Sequence, residues 1–142
     1  MIRFFQPEYF FSTRVKMPAT YNIFVQTEFA AAHCLRNYPG DCAQVHGHNW
    51  IVEVQLKCRE LDEIGLGVDF RTVKKAVQEI LADLDHTDLN EFPPFRITNP
   101  SSENIARYLY QALAGRLNSD RVAVYGVKVS ESHGQGVLYT EE

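Results

Sequence analysis

Between Tyr21 and His33 the chain alternates, with Ile23, Val25, Thr27, Phe29, Ala31 and His33 on one parity and Gln26 and Glu28 on the other. Alternation at period two predicts a strand with one buried face. A second run, QVHGHNWIVEVQLK over residues 44–57, behaves the same way and ends near Cys58. His46, His48, Trp50, Val52, Val54 and Leu56 share one side; Gly47, Asn49, Ile51, Glu53, Gln55 and Lys57 share the other. The connection between the runs carries Pro39-Gly40-Asp41, a turn signal. The period then changes. In VDFRTVKKAVQEILADL, Phe70, Val73, Val77, Ile80, Leu81 and Leu84 recur at three- and four-residue spacing, which predicts an amphipathic helix with Asp69 as its N-cap. A loop with Pro93 and Pro94 leads to a second helix, capped by Ser101 or Ser102, with Ile105, Leu109, Ala112, Leu113 and Leu117 as its apolar stripe. RVAVYGVKVSE and GVLYT, separated by a glycine-containing turn, predict two more strands. The order β-β-α-α-β-β, with hairpins on both sides of a helix pair, points to an α+β domain with an antiparallel sheet and helices on one face.

Composition narrows the class. The 142 residues are 45% apolar and 23% charged, which suits one globular domain with a real core. Residues 21–142 read as that domain and residues 1–20 as an N-terminal extension of unassigned role. The first twenty residues lack the pattern of a secretory signal, and no apolar run reaches the length of a membrane span. A formal net charge of −4 argues against a nucleic-acid or acidic-membrane partner. Three cysteines, Cys34, Cys42 and Cys58, form no disulfide framework and suit a reducing cytoplasm.

The histidines change the picture most. His46 and His48 lie on the apolar side of their strand, and His33 has the inward parity at the end of the strand before it. If the two strands pair, three imidazoles converge at the open end of the sheet. Three neutral imidazoles suit Zn²⁺ with one position left for water or substrate. The alternative is three separate histidines, each hydrogen-bonded on its own. Cys42, four residues before His46, fits either a fourth ligand in a closed structural site or a thiol beside an open metal position, available to move protons.

Two further groups have a structural and a functional reading each. Asp85 and His86 fall at the end of the first predicted helix, where a cationic imidazole meets the helix dipole; alternatively the carboxylate orients the imidazole and raises its basicity. Glu131 closes its strand on the parity of Val127 and Val129. It is either a solvated strand end or a carboxylate facing a pocket, able to accept two parallel N–H bonds from a guanidine-like edge. His133, in the turn SHGQG, reads as exposed, and Cys34 and Cys58 receive no role.

The ordered set FAAAH, CAQVHGHN, VDFRTVK, LDHTDLNE, NPSSENIA and VSE, spanning Tyr21 to the C-terminus, resembles the 6-pyruvoyl- and 6-carboxy-tetrahydropterin synthase family. The resemblance implies the tunnelling T-fold, with a four-stranded sheet whose edges join those of other subunits, commonly in homohexamers with active sites at subunit interfaces. It implies zinc on His33, His46 and His48, Cys42 as a proton acceptor supported by the Asp85–His86 pair, and Glu131 as the group that grips a pterin. The C-x₃-HGH spacing from Cys42 to His46 resembles the bacterial queuosine-pathway enzymes; animal 6-pyruvoyl synthases resemble C-x₅-HGH. The implied reaction converts 7,8-dihydroneopterin triphosphate to 6-carboxy-5,6,7,8-tetrahydropterin, acetaldehyde and triphosphate. A 6-pyruvoyl-tetrahydropterin synthase is the alternative enzyme, and a non-catalytic zinc- and pterin-binding protein is the alternative from another class.

Overall fold

The computed structural model describes residues 19–142; the expected N-terminal extension lies largely outside them. β1 (Tyr21–His33) and β2 (His46–Cys58) pair antiparallel along their whole length, His33 opposite His46 and Tyr21 opposite Cys58. Helix α1 (Phe70–Leu81), the short strand β3 (Thr87–Asp88), helix α2 (Ser102–Leu117), β4 (Val122–Ser132) and β5 (Gln135–Thr140) follow. Asp69 caps α1 by accepting the N–H of Arg71, and Ser101 caps α2 by accepting that of Asn104. Both caps satisfy a donor that a helix start leaves orphaned.

The sheet has five strands in the order β3-β1-β2-β4-β5 rather than the four expected. The added strand, β3, is two residues long and runs parallel to the outer end of β1, Thr87 beside Ala31 and Asp88 beside Ala32. Two residues carry no readable periodicity, so β3 exists only because β1 offers it an edge. Helix α1 also stops earlier than the pattern implies. Leu84 is fully buried, but beyond the helix, and Asp85 and His86 lie in the turn that leads into β3. They are therefore not at a helix C-terminus. Phe70, counted in the apolar stripe, stays exposed at the first turn.

Core and site share one face of the sheet. Trp50, Val52, Val54 and Leu56 of β2 are completely buried beneath Val73 and Val77 of α1 and Ile105, Leu109 and Leu113 of α2. Each such side chain contributes about 1.5–3 kcal/mol through removal from water. A β-bulge sets the last element of the site. Gln55 pairs with Gly126 but Leu56 pairs with Val124, so Tyr125 is an extra residue in β4. Before it Val122 and Val124 face inward; after it Val127 and Val129 do. The bulge thus turns the odd parity, and Glu131 with it, toward the helix side. Beside the bulge Gly126 lets β5 pack closely, since a Cβ there would come within 2.9 Å of the Leu138 side chain and 3.1 Å of the Tyr139 carbonyl oxygen.

Candidate metal centre and active site

The β1–β2 register brings His33, His46 and His48 together at the loop end of the hairpin on the core side. One ligating atom from each lies within 4.8 Å of the others, and no other such group occurs among the described residues. His33 is buried, while His46 and His48 are partly exposed. Backbone carbonyls orient two of the rings. His33 Nδ1 lies 2.8 Å from the Pro100 carbonyl oxygen, and His46 Nδ1 lies 2.8 Å from that of Gln44. A carbonyl only accepts, so each Nδ1 carries the proton and each neutral ring presents an Nε2 lone pair. Those two Nε2 atoms approach to 3.0 Å. His48 Nε2 is buried with no hydrogen-bond partner among the described residues. Three ring nitrogens this close together, that of His48 without a hydrogen-bond partner, fit a bound cation.

Burial shifts His33 below the ordinary imidazole value, reinforced by the neighbouring His46 and His48 and opposed by the Pro100 carbonyl and Glu131. His48 is lowered mainly by burial too, against the pull of Glu131. Both shifts favour the neutral ring, the form that ligates a metal. Glu131 faces the same point from β4, its two carboxylate oxygens 3.8 Å from His33 Nε2 and 3.9 Å from His48 Nε2. Beside it opens a cavity of about 250 Å³ lined by Leu35, Ser101, Ser102, Glu103, Glu131 and Gly136 among others. Glu131 is thus a half-buried carboxylate beside both the cavity and the imidazoles.

Cys42 sits half-buried in a short 3₁₀ turn, Asp41–Ala43, in the connection between β1 and β2. Its sulfur is not in the group of converging ligand atoms, and no disulfide engages it. Asp85 and His86 are brought together, but at the edge of the sheet. The Asp85 carboxylate accepts the Ala30 N–H at 2.8 Å and lies 3.0 Å from His86 Nδ1. Its acidity is raised first by the Ala30 hydrogen bond and then by His86, so it holds its charge. His86 takes a left-handed backbone conformation, φ 58°, uncommon outside glycine, and its side chain is 81% exposed. No hydrogen bond or ion pair among the described residues links this pair to the three imidazoles within one chain. The carbonyls of Pro100 and Gln44, and the side chains of Asn90 and Asn99 that border the same loop, had no role in the sequence reading. Their residue types carry no signal, since what matters is where distant backbone meets them.

A mostly antiparallel five-stranded sheet with two helices on one face, three imidazoles able to hold a metal ion at the loop end of its first hairpin and a carboxylate beside them fit the T-fold class. The family model described as 6-pyruvoyl tetrahydropterin synthase matches residues 22–142. This chain belongs to that family. An Archaeoglobus fulgidus protein, provisionally named a 6-carboxy-5,6,7,8-tetrahydropterin synthase, is 41% identical over 101 residues, covering 70% of this chain and 83% of that one. The Bacillus subtilis 6-carboxy-5,6,7,8-tetrahydropterin synthase is 31% identical over 107 residues, 72% of this chain and 71% of its own. Among solved structures, the 6-pyruvoyl tetrahydropterin synthase of Caenorhabditis elegans superposes with a TM-score of 0.76 at 26% identity, over 87% of this chain and 97% of that one.

Proposed function

We propose that the protein is a zinc-dependent 6-carboxy-5,6,7,8-tetrahydropterin synthase, which converts 7,8-dihydroneopterin triphosphate and water to 6-carboxytetrahydropterin with release of acetaldehyde and triphosphate, a step toward 7-deazapurines such as queuosine. The observation that carries the reading is Glu131 within 4 Å of two of the three imidazoles. One substrate can then be held by its ring edge while its side chain lies over the metal centre. The names of the two relatives and the three-residue spacing between Cys42 and His46 support the 6-carboxy product over the 6-pyruvoyl one.

His33, His46 and His48 would hold the zinc. When bound, it supplies Lewis-acid polarisation to oxygens on the substrate side chain. The protein's own groups supply the proton traffic. Cys42 removes a proton from the carbon beside the polarised oxygen as the general base. His86 is the second proton carrier. Its Nδ1–H is held by Asp85, which leaves Nε2 as the free base. Because this pair lies exposed at the sheet edge, it serves the site of a neighbouring subunit in the assembly we propose, a homohexamer. The edges support such an assembly. Strand β3 covers only Ala31 and Ala32 of β1, leaving the outer edge of Tyr21–Ala30 without a partner strand among the described residues, and an uncovered edge is a pairing surface. No helix among the described residues is long and apolar enough to cross a membrane.

Mass spectrometry of the products formed from dihydroneopterin triphosphate tests the reading. 6-Carboxytetrahydropterin is expected; a 6-pyruvoyl product would assign the sister reaction, and no turnover would leave a binding protein.

Glu131 yields a separate expectation. A pterin presents a ring N–H beside an exocyclic amine, and one carboxylate can accept both. Glu131→Gln replaces one acceptor oxygen with a donor facing those donors. A buried group left unpaired costs about 1–3 kcal/mol, so affinity for a pterin analogue should fall roughly 5- to 150-fold by calorimetry. Zinc content should not change, because Glu131 is not one of the converging ligands. Unaltered affinity would show that another group holds the ring.

A further inference from the structure

Between the end of β1 and the 3₁₀ turn that carries Cys42, the chain is held by side chains rather than by a ladder. Asn90, only 7% exposed, accepts the Cys34 N–H on Oδ1 at 2.8 Å and donates from Nδ2 to the Cys34 carbonyl at 3.0 Å. Asn99 repeats the arrangement two residues on. Its Oδ1 accepts the Arg36 N–H at 2.8 Å and its Nδ2 donates to the Arg36 carbonyl at 3.1 Å. Each amide pairs with the backbone as a neighbouring strand would. The residue between them, Leu35, donates its N–H to the carbonyl of Cys42 at 2.8 Å. The Arg36 guanidinium closes the group by donating to the Phe95 and Asn90 carbonyls at 3.0 and 3.2 Å.

The clamps are themselves anchored. The Asn99 carbonyl accepts the Ser101 N–H at 2.8 Å and the Asn104 side-chain amide at 2.9 Å, tying it to the start of α2. Pro100, next in the chain, supplies the carbonyl that orients His33. The Asn90 N–H donates to Asp88 Oδ1 at 2.9 Å, tying it to β3. A side-chain amide offers a donor and an acceptor side by side in one plane. Aspartate would set an oxygen against the backbone carbonyl, and alanine would leave both backbone groups unmatched.

We infer that Asn90 and Asn99 are positioning residues, which hold the segment Cys34–Arg36 and through Leu35 the backbone of Cys42 in fixed relation to the imidazole centre. What the thiol does there rests on the proposed function; the clamp does not. Hydrogen–deuterium exchange on the full chain as purified separates the two. In Asn90→Ala and in Asn99→Ala the Leu35 amide should exchange at least about 10-fold faster, the loss of one or two net hydrogen bonds. Amides of β2 should keep their rates. Alkylation of Cys42 by iodoacetamide, read by peptide mass spectrometry, should change by a similar factor. With dihydroneopterin triphosphate, kcat should fall about 10- to 100-fold, the cost of a misplaced reacting group, with KM within about 2-fold. Asn99→Gln, which keeps both the donor and the acceptor on a longer stem, should fall between wild type and alanine in Leu35 exchange, and serves where an alanine variant does not fold. Wild-type Leu35 exchange in the variants that fold, or a rise only in step with the β2 amides, would overturn the inference. Faster Leu35 exchange with unchanged turnover would support the clamp and count against Cys42 as the base.

Discussion

Changing His46 or His48 to alanine is expected to empty the metal centre and abolish turnover together. Both rings stand on one face of β2, two residues apart, and the site consists of their ligating atoms and that of His33 within 4.8 Å. With three protein donors, removal of one leaves two, too few for a stable zinc centre. Loss of a group that merely supports a ligand already costs about 10–100-fold in metal affinity or activity. Loss of a ligand should exceed about 100-fold in both, measured as zinc per chain by atomic emission and as product formed. Wild-type protein should carry about one zinc per chain. The fold should persist, because the core of Trp50, Val52, Val54 and Leu56 lies deeper along the same strand and does not depend on the ion. Full zinc retention in both variants would remove the basis for the centre.

Cys42→Ala should dissociate what the histidine variants lose together. The thiol is outside the converging ligand atoms and lies in a turn whose backbone is fixed by Leu35. Its removal therefore leaves the three-imidazole cage intact. If the thiol is the base, turnover should drop about 10²–10⁴-fold, the usual contribution of a positioned acid–base group, while zinc content stays at its wild-type value. A parallel loss of zinc and activity would make Cys42 a ligand, and X-ray absorption would then show a sulfur near about 2.3 Å from the metal.

Much of this molecule is written in local patterns. The bounds of β1, the course of β2 to Cys58 and the inward parity of His33, His46, His48 and Glu131 follow from a period of two, because that period records which side of an element meets apolar neighbours, while residue type marks the caps, Asp69 for α1 and one of Ser101 and Ser102 for α2. The H-x-H pair was legible for the same reason: two polar rings on a buried face need a shared partner. The bulge at Tyr125 was not. An extra residue breaks the alternation for one step, and only pairing with β2 shows where. Nor was β3, whose two residues are extended because the edge of β1 lies beside them. The end of α1 at Leu81 escaped too, since Leu84 continues the apolar spacing while packing as part of a turn. What only the tertiary structure decided is which backbone each polar side chain meets. His33 finds the Pro100 carbonyl 67 residues away, Cys34 finds Asn90 at 56 and Arg36 finds Asn99 at 63. A hydrogen bond forms within about 3 Å in space and is indifferent to separation along the chain. An asparagine in the sequence therefore shows only that a donor and an acceptor are at hand, and the packing of α2 and β3 against the end of the hairpin decides that it clamps this loop.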